Sequence, residues 1–177
     1  MPLKKYHKKR KFNKTPEPKG NVKPMKSRDT ISGNTPRSDL GSGTGRFVVH
    51  EHHARNLHYD FRLELPEDWD RGAIVLKSWA VPKGVPEKSG IKHLAIAVED
   101  HPVEYLTFKG EIPKGEYGAG LVKIWDTGKF KNFKFQISNF KVKEIEFELK
   151  GKRLGGGYVM IKTNFAGNKN SWLIFKK

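Results

Sequence analysis

The chain has 177 residues, with 35 Lys+Arg against 19 Asp+Glu and a formal net charge of +16. It has no cysteine, which excludes a disulfide scaffold, an iron–sulfur cluster, a thiolate zinc site and a cysteine nucleophile. No run approaches the roughly 18–20 apolar residues of a membrane helix, and the basic start lacks the apolar core of a secretory signal, so the expected location is the cytoplasm, beside the nucleoid.

Residues 1–46 carry 13 Lys+Arg and 3 Asp+Glu but only 8 apolar residues, and end in Gly- and Ser-rich sequence. Such a segment buries too little apolar surface to offset its ordering entropy. Composition therefore predicts a largely flexible, mostly irregular basic arm over 1–46, with a linker at about residues 32–45. From Phe47 onward 55 of 131 residues are apolar, enough for one domain, 47–177, to fold by itself. A basic arm suits an anionic polymer, and nucleic acid is the commonest.

Within 47–177 turn residues recur about every ten positions, with β-branched and aromatic residues between them. The spacing predicts strands over 47–51, 57–65, 73–81, 93–99, 104–109, 121–126, 133–137, 144–149, 157–163 and 171–176. No window carries a helical period. The expected fold is all-β, an antiparallel sandwich or a compact closed or nearly closed barrel, the latter leaving no exposed edge.

The most informative segment is Leu57–Leu65. Alternate residues face opposite sides of a strand, so Leu57, Tyr59, Phe61, Leu63 and Leu65 form an apolar face. His58, Asp60, Arg62 and Glu64 form the other. A salt-bridged edge strand would explain alternating charge, but four of the seven histidines, His50, His52, His53 and His58, fall within nine residues. Imidazole and carboxylate ligate catalytic divalent ions, and Arg binds phosphate with two donors. His58 and Asp60 can converge on one ion, with a third ligand from the neighbouring turn, where His52 and His53 are expected. Adventitious metal binding would use the same residues.

Further along, Glu99-Asp100-His101-Pro102 reads as a strand mouth that exposes and anchors a histidine, or as a simple turn. Lys83, before Gly84, is placed to reach a phosphate or is an ordinary solvated lysine. Ile112–Gly120 is a Gly-rich loop without the Gly-Lys-Ser/Thr ending of a P-loop, and its glycines are expected to make backbone turns near the site.

These blocks together resemble the 3′-phosphoesterase domain found at the N-terminus of many bacterial end-joining DNA ligases and as a stand-alone protein in some archaea and bacteria. The matching segments are 47–64 (FVVHEHHARNLHYDFRLE), 76–84 (LKSWAVPKG), 98–105 (VEDHPVEY), 110–120 (GEIPKGEYGAG) and 170–176 (NSWLIFK), and Tyr6, Lys9, Arg10, Phe12, Thr15, Glu17, Pro18 and Gly20 fit the family's N-terminal signature. The resemblance implies a β-barrel with a crescent-like groove and a manganese-dependent enzyme, other divalent transition metals being possible. It would remove a 3′-terminal ribonucleoside to leave a phosphate, then remove the phosphate to leave a 3′-hydroxyl. It also implies His52, His58 and Asp60 as metal ligands, Arg62 and His101 as phosphate-holding residues, and Tyr105, Glu99 and Lys83 in support. Arg10 and Glu17 match positions of the phosphodiesterase step, which requires part of the arm to order on the barrel. Implied partners are DNA primer-template 3′ ends, an end-joining ligase, a polymerase/primase and Ku.

The chain departs from the family pattern at Lys11, where Asp is usual, at His50, where Gln is common, at His93, where Arg is usual, and in a longer stretch from Pro66 to Ala73. His50 and His93 stand at substrate-side positions, and Lys11 bears on the ribonuclease step. Two other classes fit parts of the sequence. A non-catalytic OB-like nucleic-acid module predicts aromatic stacking residues on an open sheet face. A cupin-like metal oxygenase predicts an organic-acid substrate and gives no reason for the basic arm.

Overall fold

The computed structural model describes residues 3–21, 43–69, 72–138 and 141–177. The strands are β1 (Gly43–His53), β2 (Leu57–Pro66), β3 (Ile74–Val81), β4 (Lys92–Ala97), β5 (Gly110–Ile112), β6 (Gly120–Ser138), β7 (Lys141–Gly151), β8 (Gly155–Lys162) and β9 (Ser171–Lys176). All ladders are antiparallel, in the order β1-β2-β3-β4-β9-β8-β7-β6, and β1 pairs back onto β6. Eight strands thus close a barrel, as expected, and β5 pairs with the first residues of β6. No helix among the described residues is long and apolar enough to cross a membrane.

Side-chain parity builds two layers. In register, Phe47 faces Leu63 and Val49 faces Phe61. These four enter the barrel interior with Trp79, Phe147, Leu149, Tyr158 and Ile174, all nearly or fully buried. The opposite parity points out of the barrel, where a second apolar cluster forms from Val48, Leu76, Val122, Tyr105, Leu106 and Leu3 and Tyr6 of the arm. The wall between β1 and β2 is therefore buried on both sides.

Three expectations need correction. Residues 104–109 are not a strand: Val103–Thr107 is a 3₁₀ turn. Pro102 starts it, its carbonyl accepting from Tyr105 N–H at 2.9 Å, and the Tyr105 carbonyl accepts from Phe108 N–H at 3.2 Å. The turn lays Tyr105 and Leu106 on the outer cluster. The segments 121–126 and 133–137 are one 19-residue strand, β6, with register shifts opposite Val49/His50 and at Lys131/Lys134; bulges of this kind bend a strand and let it keep pairing. β1 runs on to His53, so His52 and His53 are strand residues, not turn residues.

The arm also departs from its composition. Residues 3–21 lie against the barrel, with a short helix, α1 (Lys4–Lys8). Tyr6 is fully buried, and Leu3, Thr15 and Glu17 are nearly so. The Tyr6 hydroxyl donates to the Pro18 carbonyl at 2.7 Å, closing the segment on itself. A few large side chains suffice because the outer wall supplies the rest of the apolar surface. Most of the expected linker lies outside the described residues.

Candidate metal and phosphate site

On β1 and β2, His52 pairs with His58 and His50 with Asp60. All four, with Arg62, share the outward face. One ligand atom from each of His52, His58 and Asp60 lies within 4.8 Å of the others. Backbone carbonyls set both rings. His52 Nε2 donates to the Gly118 carbonyl at 2.8 Å, which turns the Nδ1 lone pair inward. His58 Nδ1 donates to the Asn56 carbonyl at 2.9 Å, which frees Nε2. Nδ1 of His52 is buried with no hydrogen-bond partner, 3.4 Å from Asp60 Oδ2, while His58 Nε2 is 3.7 Å from Oδ1. Lone-pair-bearing atoms, all hydrogen-bond acceptors, thus converge on one point, an arrangement that a divalent cation satisfies and that outer-shell carbonyls hold in place. The residues fit a transition metal ion.

The Gly118 carbonyl is in reach because the Gly-rich loop turns sharply into β6. At Gly120, φ is +138°, and a Cβ would stand 2.2 Å from the His53 carbonyl oxygen. Only glycine fits there.

Behind the cluster the charges continue inward. Arg62 Nη2 donates to Asp60 Oδ2 at 3.1 Å. Burial opposes ionisation of Asp60, but the Arg62 guanidinium outweighs it and holds the carboxyl well below the usual range. His50 is fully buried. Its Nε2 donates to the Phe108 carbonyl at 3.0 Å and its Nδ1 accepts from Arg62 Nε at 3.4 Å. Burial first, then the Arg62 charge, pushes its pKa down to about 3. His50 therefore steadies Arg62 from behind. The Tyr105 ring packs under the same guanidinium, 4.8 Å from it.

His101 sits between two guanidiniums, with Arg62 Nη1 2.9 Å from Nδ1 and Arg10 Nη2 3.1 Å from Nε2. The Glu99 carbonyl also lies 2.9 Å from Nδ1. A neutral ring has one donor and one acceptor nitrogen, so Nδ1 serves either the Glu99 carbonyl or Arg62 Nη1, and Nε2 takes the opposite role. Burial, then Arg62 and Arg10, keeps the His101 pKa well below its ordinary value.

The arm supplies the other side. Arg10 donates to Glu17 at 2.8 Å and to Glu99 at 2.9 Å, and lies on the Tyr6 ring at 3.9 Å. Glu17 also accepts from Thr15 at 3.0 Å and from the Tyr105 hydroxyl at 2.9 Å. Burial pushes the Tyr105 hydroxyl pKa up, so it stays a donor. Lys9 donates to Glu99 at 2.9 Å and to the Tyr117 hydroxyl at 3.0 Å. Burial raises the Glu99 pKa, but the bonds from Lys9 and Arg10 win and lower it.

The structure thus brings Arg10, Glu17, His50, His52, His58, Asp60, Arg62, Glu99, His101 and Tyr105 into one connected cluster. Lys83 is exposed and no described side-chain bond ties it to the cluster. His93 bonds the Gly84 carbonyl at 2.6 Å, steadying the turn after β3. Glu64, the last polar residue of β2, pairs with Arg46 at 2.7 Å instead of joining the site. Sequence reasoning missed the carbonyls of Asn56 and Gly118, because a backbone acceptor carries no residue signature. It used Lys9 and Thr15 only as parts of a signature.

A family model described as the DNA ligase D 3′-phosphoesterase domain matches residues 50–162. The chain is 46% identical over 162 residues to the multifunctional non-homologous end joining DNA repair protein LigD of Mycobacterium tuberculosis, covering 92% of this chain and 18% of that protein. To the multifunctional non-homologous end joining protein LigD of Pseudomonas aeruginosa it is 41% identical over 175 residues, covering 99% of this chain and 18% of the relative. To the Mycolicibacterium smegmatis protein of that name it is 46% identical over 124 residues, covering 67% and 15%. The chain spans less than a fifth of the length of these relatives.

Proposed function

The chain belongs to the DNA ligase D 3′-phosphoesterase domain family, and from that premise we propose that it is a metal-dependent phosphoesterase that heals DNA 3′ ends. It removes a terminal 3′-ribonucleoside to leave a 3′-phosphate, then hydrolyses that phosphate to a 3′-hydroxyl. The observation that carries the reading is the converging acceptor set of His52, His58 and Asp60, directly beside the Arg62 guanidinium.

His52 Nδ1, His58 Nε2 and the Asp60 carboxylate would hold the ion, with manganese the proposed metal. When bound, the ion supplies Lewis-acid charge for a phosphoryl oxygen and an acidified water. Arg62 cannot ligate a cation, since a guanidinium offers only donors. Two residues beyond Asp60 on the same face, it offers its guanidinium to a phosphate oxygen and offsets charge that builds during hydrolysis. His101 keeps both guanidiniums in place. Its Nε2 and the Arg10 donor beside it can take part in handling the leaving group. His50 and Tyr105 keep Arg62 from swinging, which a preorganised site requires. Arg10, fixed by Glu17 and Glu99, extends the cationic surface towards the nucleoside side, which is why the arm is assigned to the ribonucleoside step. DNA 3′ ends are the proposed substrate, and an end-joining ligase, a polymerase/primase and Ku are the proposed partners in the repair setting that the relatives' names describe.

The test is to incubate the protein with manganese and a primer-template bearing one 3′-terminal ribonucleotide or a 3′-phosphate. The expected products appear in sequence, a shortened 3′-phosphate strand and then a 3′-hydroxyl strand, and both fail with EDTA. Unchanged primers with manganese, or activity that persists in EDTA, would overturn the reading.

A further inference from the structure

Far from this cluster, Lys141, Lys143, Lys162 and Lys169 line a cavity of about 370 Å³ with Thr163 and Asn164. The lysines come from the start of β7, the end of β8 and the loop before β9. None of the lining residues is acidic. Like charges gathered from separate elements repel one another and cost the fold stability unless an anion joins them. The stem of Lys162 is partly buried, its ammonium 5.5 Å from the Trp172 ring. Burial first, then Lys143 and Lys141, lowers its pKa. A hydroxyl and an amide beside four ammonium groups are the donors that phosphate oxygens accept.

The position limits what can bind. β8 stands four strands from β2 around the closed wall and β7 two strands from β1, and Lys141 pairs with Ser138, at the opposite end of β6 from Val122, the partner of His52, so the cavity lies well away from the metal cluster. Duplex DNA is stiff over about 150 base pairs, so bending one short duplex around the barrel to reach both places costs energy that a second segment does not. We propose that the cavity is a second phosphate-binding site, which takes backbone phosphate from a nucleic-acid segment other than the one whose 3′ end meets the metal cluster. This rests on nucleic acid being the substrate class, and one molecule would then hold two segments together.

The experiment reads binding without turnover, with metal omitted and short duplexes ending in 3′-hydroxyl, so a failure of the end-healing reading leaves it intact. Three full-length proteins are compared: wild type; a variant with Lys141→Gln, Lys143→Gln, Lys162→Gln and Lys169→Gln; and a control of equal charge with Lys88→Gln, Lys92→Gln, Lys129→Gln and Lys152→Gln. The readouts are the salt dependence of duplex affinity and energy transfer between donor- and acceptor-labelled duplexes. The wild type and the control should bridge two duplexes. The cavity variant should keep one duplex, lose the bridging signal at least about 10-fold, and lose about two to four from the log–log salt slope, near one per phosphate contact. Lysine-to-arginine changes at the four cavity positions should keep both readouts, and Lys143→Gln with Lys169→Gln, which should lose part of each, carries the test if the fourfold glutamine variant folds poorly. A cavity variant that matches the control in slope and bridging overturns the proposal. Inorganic pyrophosphate that binds the wild type and not the cavity variant, with bridging unaltered, also overturns it, because the cavity would then serve a small phosphate.

Discussion

Phe61 and Asp60 are neighbours on β2, and both are buried, on opposite sides of one wall. Phe61 stacks on Phe147 at 5.8 Å within the barrel. Asp60 faces outward to Arg62, His52 and His58. The inner face is held by area, roughly 1.5–3 kcal/mol for each fully buried large side chain. The outer face is held by matched charges, each of which leaves the next exposed to a burial penalty if removed. Two links of the chain, stability and chemistry, are thus carried by alternate residues of the same strand. The arm and the 3₁₀ turn cover part of the outer face.

The largest separation should come from the neighbours themselves. Phe61→Ala is expected to cost about 3–5 kcal/mol, read by denaturant unfolding. Asp60→Asn should retain a cooperative unfolding transition yet lose roughly 10³-fold in 3′-phosphate removal. If Phe61→Ala loses only activity, or Asp60→Asn only stability, the two faces are not separate in role.

Within the outer face, ligands and phosphate holders should split. Arg62→Ala and His101→Ala should bind manganese about as well as wild type and turn over about 10²-fold more slowly, the scale of one lost transition-state donor. His58→Ala should lose the metal. A metal defect in the Arg62 or His101 variant would place that residue in the coordination shell.

Deleting residues 1–21 should leave a barrel that still melts cooperatively, since the inner cluster includes no arm residue. It should still remove a 3′-phosphate but trim a terminal ribonucleoside at least about 10-fold less well than the full chain, as a gel assay of the two products would show. Equal loss of both steps would make the arm a general cover and not a specific one.

The smallest effect concerns pH. His101 is held unprotonated in the fold, by burial first and then by Arg62 and Arg10, whereas an unfolded histidine titrates near pH 6.5. Below about pH 6.5 the unfolded chain takes up a proton that the folded chain refuses, so stability falls as pH falls. Urea unfolding at pH 7.5 and 5.5 should show this loss, and His101→Asn should show a shallower one. An unchanged slope would mean that His101 is not held neutral.

The sequence made much of this arrangement legible. The alternation of β2 separated the two faces, and the histidine cluster with Asp60 pointed to the residues that the structure brings together as a candidate metal set, because strand parity is a strict period of two. Composition misjudged residues 3–21, since it counts apolar residues in the arm and not the wall that waits for them. The sequence places Tyr105 in a strand because aromatic and β-branched residues fill the stretch between turn signals. Its place under Arg62 depends on a turn begun at Pro102. Nor did the sequence mark Asp126, whose buried carboxylate accepts from the backbone N–H groups of Lys152 and Leu154 at 2.9 Å and so fastens the β7–β8 turn. Three donors distant in sequence, the N–H groups of Lys152, Arg153 and Leu154, meet it only once the sheet has formed.

The central claim, that His52, His58 and Asp60 form a metal site built on the outer wall, is tested most directly by manganese titration of the metal-free protein, followed by the spin-resonance signal of free ion. The wild type should take up one ion per chain, and Asp60→Asn and His58→Ala should take up none at the same concentrations while unfolding cooperatively. Equal uptake by the wild type and both variants would contradict the account.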